Sequence, residues 1–296
     1  MADVKQQHYL PQFYLKSFAD AEGFLHVARR CEGQLGSPYK GKTGRVCSKK
    51  YLHEVRRRSL THEEEFLKKG IIEAELGRVE NALAPSYCDL LCCLENGSLP
   101  DDYPDAIEKL MALIAFFIAR SPKWLQLKRN EAGDVAARLL ENGLLDEDDI
   151  GRMPDGDSLE EFEALVELGI MDTALFSTAE GAPMRTLVDL MFDKDCCFLK
   201  SPGETAFITA SFPVYAAWAS EGDANPAAIY FPLSPRFAAV FREGTGEGLV
   251  CIEDASVELV VSLNRILMNE NDAWEMLIAS DGDVLAGLLK EYRISN

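Results

Sequence analysis

All four histidines of this chain, His8, His26, His53 and His62, fall within its first 62 residues. Imidazole is the side chain whose ordinary pKa lies nearest neutrality, so it is the first candidate for proton transfer. His8 stands three residues before Pro11, in a run carrying Tyr9, Phe13, Tyr14 and Phe18. A terminal segment this apolar has to dock into the body, because exposed aromatic clusters favour association. Two roles follow for His8. It is either a general base in a half-buried cleft or a core histidine bonded to backbone that anchors the segment.

Acid and anion chemistry is carried further along. Glu73 and Glu80 are seven residues apart in a segment where Ile72, Leu76, Val79 and Leu83 form a core-facing helical stripe. At 3.6 residues per turn the two carboxylates lie within about 20° of each other around the axis. Gly77, without a side chain, leaves a gap between them. The pair reads either as two solvated glutamates bordering an interface or as a site for a divalent cation or polar ligand. No other cofactor is expected. Arg120 ends the apolar segment Leu110 to Ala119, just before Ser121-Pro122. It is placed to cap the last carbonyls, to pair with Glu73 or Glu80, or to bind an anion.

A second chemistry is charge alone. Between Arg29 and Arg58 there are ten Lys or Arg against Glu32 and Glu54, in a chain of net charge −19. Arg29, Arg30, Lys40, Lys42, Arg45, Lys49 and Lys50, with Tyr39 and Tyr51 among them, would grip RNA or single-stranded DNA by charge and stacking. The alternative is that they neutralise the acidic body, within one chain or across a homo-oligomer. Overall acidity repels phosphate backbones and anionic lipid surfaces, and favours the second reading.

Zinc has no support in the spacing of Cys31, Cys47, His53 and His62, and no metal ligand is assigned. Asp155-Gly156-Asp157 matches part of a calcium loop without its remaining ligands. The phosphate, dinucleotide, nucleophile-elbow and metalloprotease motifs are all missing from the sequence. The eight cysteines include no C-x-x-C pair, which suits reduced thiols in a cytoplasmic protein. No basic region followed by an apolar core opens the chain, and its longest apolar run is about half a membrane span.

The elements that would position these residues follow from periodicity. Phe24 to Arg29 reads as a strand, Gly33 to Gly44 as a loop and Arg45 to Cys47 as a second short strand. A helix capped by Thr61 carries Glu73 and Glu80, with Pro85 interrupting or restarting it. Pro104 to Arg120 is apolar all round, hence a buried central helix, and Trp124 to Asn142 follows as another. Residues 143–182 read as a solvated acidic insertion, its Leu159 to Gly169 part helical, followed by a short helix from Arg185 to Phe192. Cys196 to Leu199 and Ala206 to Thr209 read as adjacent strands, with further strands at Ala228 to Phe231 and Leu249 to Ile252, and Ala238 to Phe241 as one more strand or a helical turn. Ser256 to Met268, Asp272 to Ala279 and Asp283 to Tyr292 read as helices. The expectation is α+β. It comprises a mainly helical body with a buried central helix, a small N-terminal β-hairpin, and a small C-terminal antiparallel sheet flanked by helices. All of it lies in one domain over 1–296, divided at 1–60, 61–195 and 196–296.

In order along the chain, these landmarks resemble the DUF4238 family, a group without known function. They are His8-Tyr9-Leu10-Pro11 with Phe13-Tyr14-Leu15 and Phe18, Glu73 and Glu80, Arg120-Ser121-Pro122, Phe207-Ile208-Thr209 with Pro213-Val214, Phe231-Pro232-Leu233-Ser234-Pro235, and Leu263-Asn264. The resemblance implies that relatives carry aspartate where this chain has Ser211. If that carboxylate is catalytic or binds metal, Ser211 alters the site. If it caps a turn, serine serves equally. His8, Glu73, Glu80, Arg120 and Ser211 are thus the catalytic candidates. Three functions fit: a hydrolase or nuclease-like enzyme using a polar cleft of family motifs, a nucleic-acid-binding or defence-associated effector using residues 29–58, and a non-catalytic scaffold.

Overall fold

The computed structural model describes residues 6–31, 34–58, 65–144, 146, 149, 152, 159–220, 223, 225–244, 248–269 and 274–295. Strand β1 (Gln6–His8) leads through Pro11 into a short helix, α1 (Gln12–Ser17). Strands β2 (Phe24–Cys31), β3 (Gln34–Leu35), β4 (Tyr39–Lys42) and β5 (Ser48–Lys50) follow, then the short pair β6 (Val55–Arg56) and β7 (Phe66–Leu67). The expected loop at 33–44 therefore holds two strands. The expected strand at Arg45 to Cys47 begins instead in a 3-10 turn over Thr43–Arg45 and ends at Cys47, whose φ is +53°. Consecutive extended residues are excluded there.

The helical body comprises α2 (Ile71–Glu95), α3 (Tyr103–Ala119), α4 (Pro122–Glu141), α5 (Leu159–Phe176) and α6 (Pro183–Phe192). Thr61 lies outside the described residues, and α2 starts later than expected, after Gly70 at φ +79°. Glycine takes this left-handed conformation without a Cβ penalty. Helix α2 runs through Pro85 without a break. Helix α3 is buried on almost every side, Ile114, Ala115 and Phe116 having no exposure. Helix α5 is not the solvated element its charge implies, because Phe162, Ala164, Met171 and Leu175 are buried and so is Glu161. Asp155 and Asp157 lie outside the described residues.

The C-terminal third contains β8 (Asp195–Lys200), β9 (Thr209–Ala210), β10 (Tyr215–Ala217), β11 (Ala228–Pro232), β12 (Phe237–Arg242), β13 (Val250–Asp254), α7 (Val257–Asn269), β14 (Met276–Ala279) and α8 (Gly282–Ser295). One sheet runs β10-β11-β12-β8-β13, with β13 parallel to β8 and the other pairs antiparallel. The second runs β3-β2-β14-β9, with β4 also paired to β2. Three expectations are corrected. The sheet is not purely antiparallel. Strands β8 and β9 are not neighbours but belong to different sheets. Met276 to Ala279 is a strand rather than a helix. It sits between β2 and β9 with all four residues buried, so it shows no alternation to reveal it.

The first sheet separates two cores. Alternate side chains of its strands, among them Phe198, Phe231, Phe237 and Phe241, face the helical body. Cys197, Leu199, Tyr230 and Ala238 face the second sheet and helices α7 and α8. This is the period-two pattern of a sheet covered on both sides. The fold is α+β.

Candidate functional site

The N-terminal motif is first of all an anchor. Tyr14, Leu15 and Phe18 have no exposure. The Tyr14 hydroxyl lies 2.6 Å from Thr209 Oγ1 and donates to the Pro232 carbonyl at 2.8 Å. Ser17 Oγ donates to the Leu233 carbonyl at 2.8 Å, and the Tyr87 hydroxyl donates to that same oxygen. Asn264 accepts from the Ile208 amide at 3.0 Å and donates to the Ala206 carbonyl at 2.8 Å. Landmarks scattered through the chain are thus each other's partners. Ser121 accepts from the Trp124 amide and caps α4.

Beneath this anchor four of the five catalytic candidates meet. Arg120 is wholly buried, donates to Glu80 Oε1 at 2.5 Å and to the His8 carbonyl, and lies 4.9 Å from the centre of the Phe116 ring. The His8 imidazole donates to the Gly44 carbonyl and feels the charges of Arg120, Glu73 and Glu80, while its Nε2 is buried without a partner. Burial, with help from Arg120, holds its pKa below the ordinary value, against the Gly44 bond and the two glutamates. Glu73 and Glu80 keep 27% exposure, and a β-carbon placed on Gly77 would meet nothing within 4 Å. The carboxylates have separate partners, so a cation between them would compete with the Arg120 guanidinium for Glu80.

The partner of Glu73 is His53, which sequence reasoning left outside the site. Its Nδ1 stands 2.9 Å from Glu73 Oε2, its side chain has no exposure, and its Nε2 has no partner. Burial pushes its pKa down to about 4. Glu73 opposes this shift and Arg120 reinforces it. A neutral ring donating from Nδ1 leaves a free lone pair on Nε2. Gln7 holds this arrangement in place, accepting from the His53 amide at 2.8 Å and donating to Glu54 Oε1 at 2.8 Å. Glu54 Oε2 in turn accepts from the Gly70 amide at 3.0 Å, which fixes the entry to α2 and hence Glu73. The inward orientation of Gln7 follows from strand alternation, but its partners are set by the fold.

Ser211 lies apart from this cluster. Its Oγ accepts from the backbone amides of Glu275 at 2.7 Å and Met276 at 3.0 Å, so it serves as a turn cap, the role a carboxylate would serve equally. It lines a cleft of about 370 Å3 together with Tyr9, Lys49, Lys123, Gln126 and Glu275. Lys49 donates to Glu275 at 2.6 Å across 226 residues of chain, and Trp274 forms part of the wall, its ring 3.7 Å from the Arg30 guanidinium and its indole N–H donating to the Met268 carbonyl at 3.2 Å. The Tyr9 hydroxyl is buried beside Cys47 and Ser211, and burial raises its pKa. The N-terminus of α4 also contributes, through Pro122 and Lys123. No sequence signal marked Glu275 or Trp274.

The basic stretch is largely tied to acidic groups. Lys40 pairs with Asp20 and Glu22, and Arg57 with Glu161 at 2.5 Å in near-complete burial. Arg58 pairs with Glu163 and Glu167, and Arg129 joins Glu167 at 2.9 Å. Arg29, Lys42, Arg45 and Lys50 are exposed. His62 lies outside the described residues. Among the described residues no single helix is long and apolar enough to cross a membrane.

Searches of curated proteins and of solved structures find no match. The family profile described as "Protein of unknown function (DUF4238)" matches residues 6–283, nearly the whole chain. The chain therefore belongs to the DUF4238 family.

Proposed function

We propose that this protein binds a small anionic molecule in the cleft bordered by Tyr9, Lys49, Lys123, Ser211 and Glu275. One observation carries the reading. In a chain of charge −19, the 370 Å3 cleft gathers two lysines, a single carboxylate and the positive end of α4. The walls draw on Tyr9, Pro122 and Ser211, which lie in or beside three separated family landmarks, together with Trp274 and Glu275, which no landmark includes. The size suits a phosphorylated or carboxylated metabolite. Lys49 is held by Glu275 and Lys123 is exposed, so an incoming anion would take both ammonium groups at the cost of a partly solvated ion pair. Cys47, Cys88, Cys92, Cys93, Cys196, Cys197 and Cys251 are free thiols, which supports a reducing compartment, the cytoplasm.

The test is thermal unfolding of the full chain with orthophosphate, pyrophosphate and small di- and tricarboxylates. A ligand at one hundred times its Kd adds about 2.7 kcal/mol of stability. We expect one class of anion to raise Tm by several degrees in the wild type, and the Lys49→Met/Lys123→Met double variant to lose that rise. Equal rises in both proteins would overturn the assignment.

A hydrolytic reading is favoured by the His53–Glu73 pair, whose orientation is that of an acid/base dyad. His53 has no exposure, so this reading requires the cover formed by the N-terminal segment to open. Its test is hydrolysis of phosphate and carboxylate esters by wild type and His53→Gln. Turnover present in the first and lost in the second would support it, and equal rates would exclude it. A role for residues 29–58 in nucleic-acid binding rests on Arg29, Lys42, Arg45 and Lys50, and predicts a salt-sensitive shift with single-stranded oligonucleotides.

A further inference from the structure

On the face of the first sheet turned away from the helical body, two thiols and a carboxylate converge. Strand β13 lies at the edge of its sheet and runs parallel to β8, with Cys251 directly opposite Cys197. Glu253 is two residues beyond Cys251, so strand alternation turns it to the same face. The two sulfurs and one carboxylate oxygen all lie within 4.8 Å of one another. Cys251 donates to Glu253 Oε1 at 3.5 Å, and Arg242, from β12, donates to that same oxygen at 3.2 Å. Cys197 is buried, Cys251 half-buried and Glu253 exposed, so the group has a floor and an open side. Among the described residues no other set of three such ligands comes this close.

We propose that Cys197, Cys251 and Glu253 form a binding site for a thiophilic divalent cation of the zinc type. Ligand atoms around a tetrahedral zinc stand about 3.5–3.8 Å apart, so the side chains need move by only about 1 Å to close on the ion. Thiolate ligands select zinc and cadmium over magnesium and calcium, which take all-oxygen sites. Two thiolates and one carboxylate fill three of four positions, and the open side leaves the fourth to water. Arg242 supplies the outer partner that a ligating carboxylate needs, and it offsets the surplus negative charge of three anionic ligands around a 2+ ion. The site escapes sequence motifs because its first ligand is 54 residues from its second and reaches it only through the parallel pairing of two strands.

The test is titration of the reduced, full-length protein with Cd2+, read as thiolate-to-metal charge-transfer absorbance in the ultraviolet, with Zn2+ as competitor. We expect one Cd2+ per chain, displaced by Zn2+. The band should be lost in Cys251→Ser and kept in Cys92→Ser, which alters an exposed thiol on α2. In Glu253→Gln, a surface change that does not threaten folding, affinity should fall at least tenfold. Any of three results would overturn the proposal: the same band in Cys251→Ser, unchanged affinity in Glu253→Gln, or a Cys197–Cys251 disulfide in the protein as purified.

Discussion

The buried His53–Glu73 pair makes a quantitative claim about acid sensitivity. The folded protein holds His53 neutral, its pKa pushed down to about 4 by complete burial, whereas the unfolded chain titrates near 6.5. Between those values the unfolded state binds the extra proton, so this residue's contribution is intact above pH 6.5 and is lost as pH falls toward 4. Linkage at one proton gives a slope of about 1.4 kcal/mol per pH unit in the middle of the window. Between pH 7 and 4.5 the loss from this one group is therefore about 2–3 kcal/mol. His8, also shifted downward by burial, adds to it in the same direction. The assay is urea unfolding followed by tryptophan fluorescence at half-unit steps of pH, comparing wild type with His53→Gln. The variant removes the titrating ring and keeps an amide that can donate to Glu73. It should be less stable at pH 7, and its stability should fall with acid less steeply by about one proton. Equal slopes in the two proteins would refute the argument, because they would mean that His53 titrates as it does in the unfolded chain.

Other perturbations have defined outcomes. Arg120→Met leaves the His8 carbonyl and Glu80 without their donor. Since Glu80 is partly solvated, the expected cost is about 2–4 kcal/mol in urea unfolding, and a loss under 1 kcal/mol would mean the pair is not formed. Ser211→Ala removes the acceptor of one buried and one part-buried amide and should cost about 1–3 kcal/mol, whereas Ser211→Asp should stay within about 1 kcal/mol of wild type. A large loss in Ser211→Asp would contradict the turn-cap role. Gly77→Ala places a methyl group in open space within a helix and should stabilise by about 0.5–1 kcal/mol, checked by the urea midpoint.

What could be read from sequence was what short-range periodicity encodes. Helix α3 announced itself by ten consecutive apolar residues, and the spacing of Glu73 and Glu80 put both on one face of α2, whereas the meeting of Glu80 with Arg120 is set by the packing of the two helices. Strand β14 was misread because four buried apolar residues carry no period that separates strand from helix. The parallel pairing of β8 with β13 joins segments with four strands and their turns between them, and no local pattern records it. The same holds for the sites. His53 meets Glu73 through a fold that Gln7 and Glu54 close, and Lys49 meets Glu275 from opposite ends of the chain. The charge of α5 pointed to solvent, yet Glu161 is buried because Arg57 accompanies it. Composition records charges but not their partners.

The proposal that the cleft binds an anion is tested most directly by the indole N–H resonances of the three tryptophans during a titration with pyrophosphate. Trp274 lines the cleft, while Trp218 is half-exposed on the loop after β10. The account predicts a saturable shift of the Trp274 signal with Trp218 unmoved, and its loss in the Lys49→Met/Lys123→Met variant. A Trp274 signal that stays fixed while pyrophosphate raises Tm, or one that moves equally in the double variant, would contradict it.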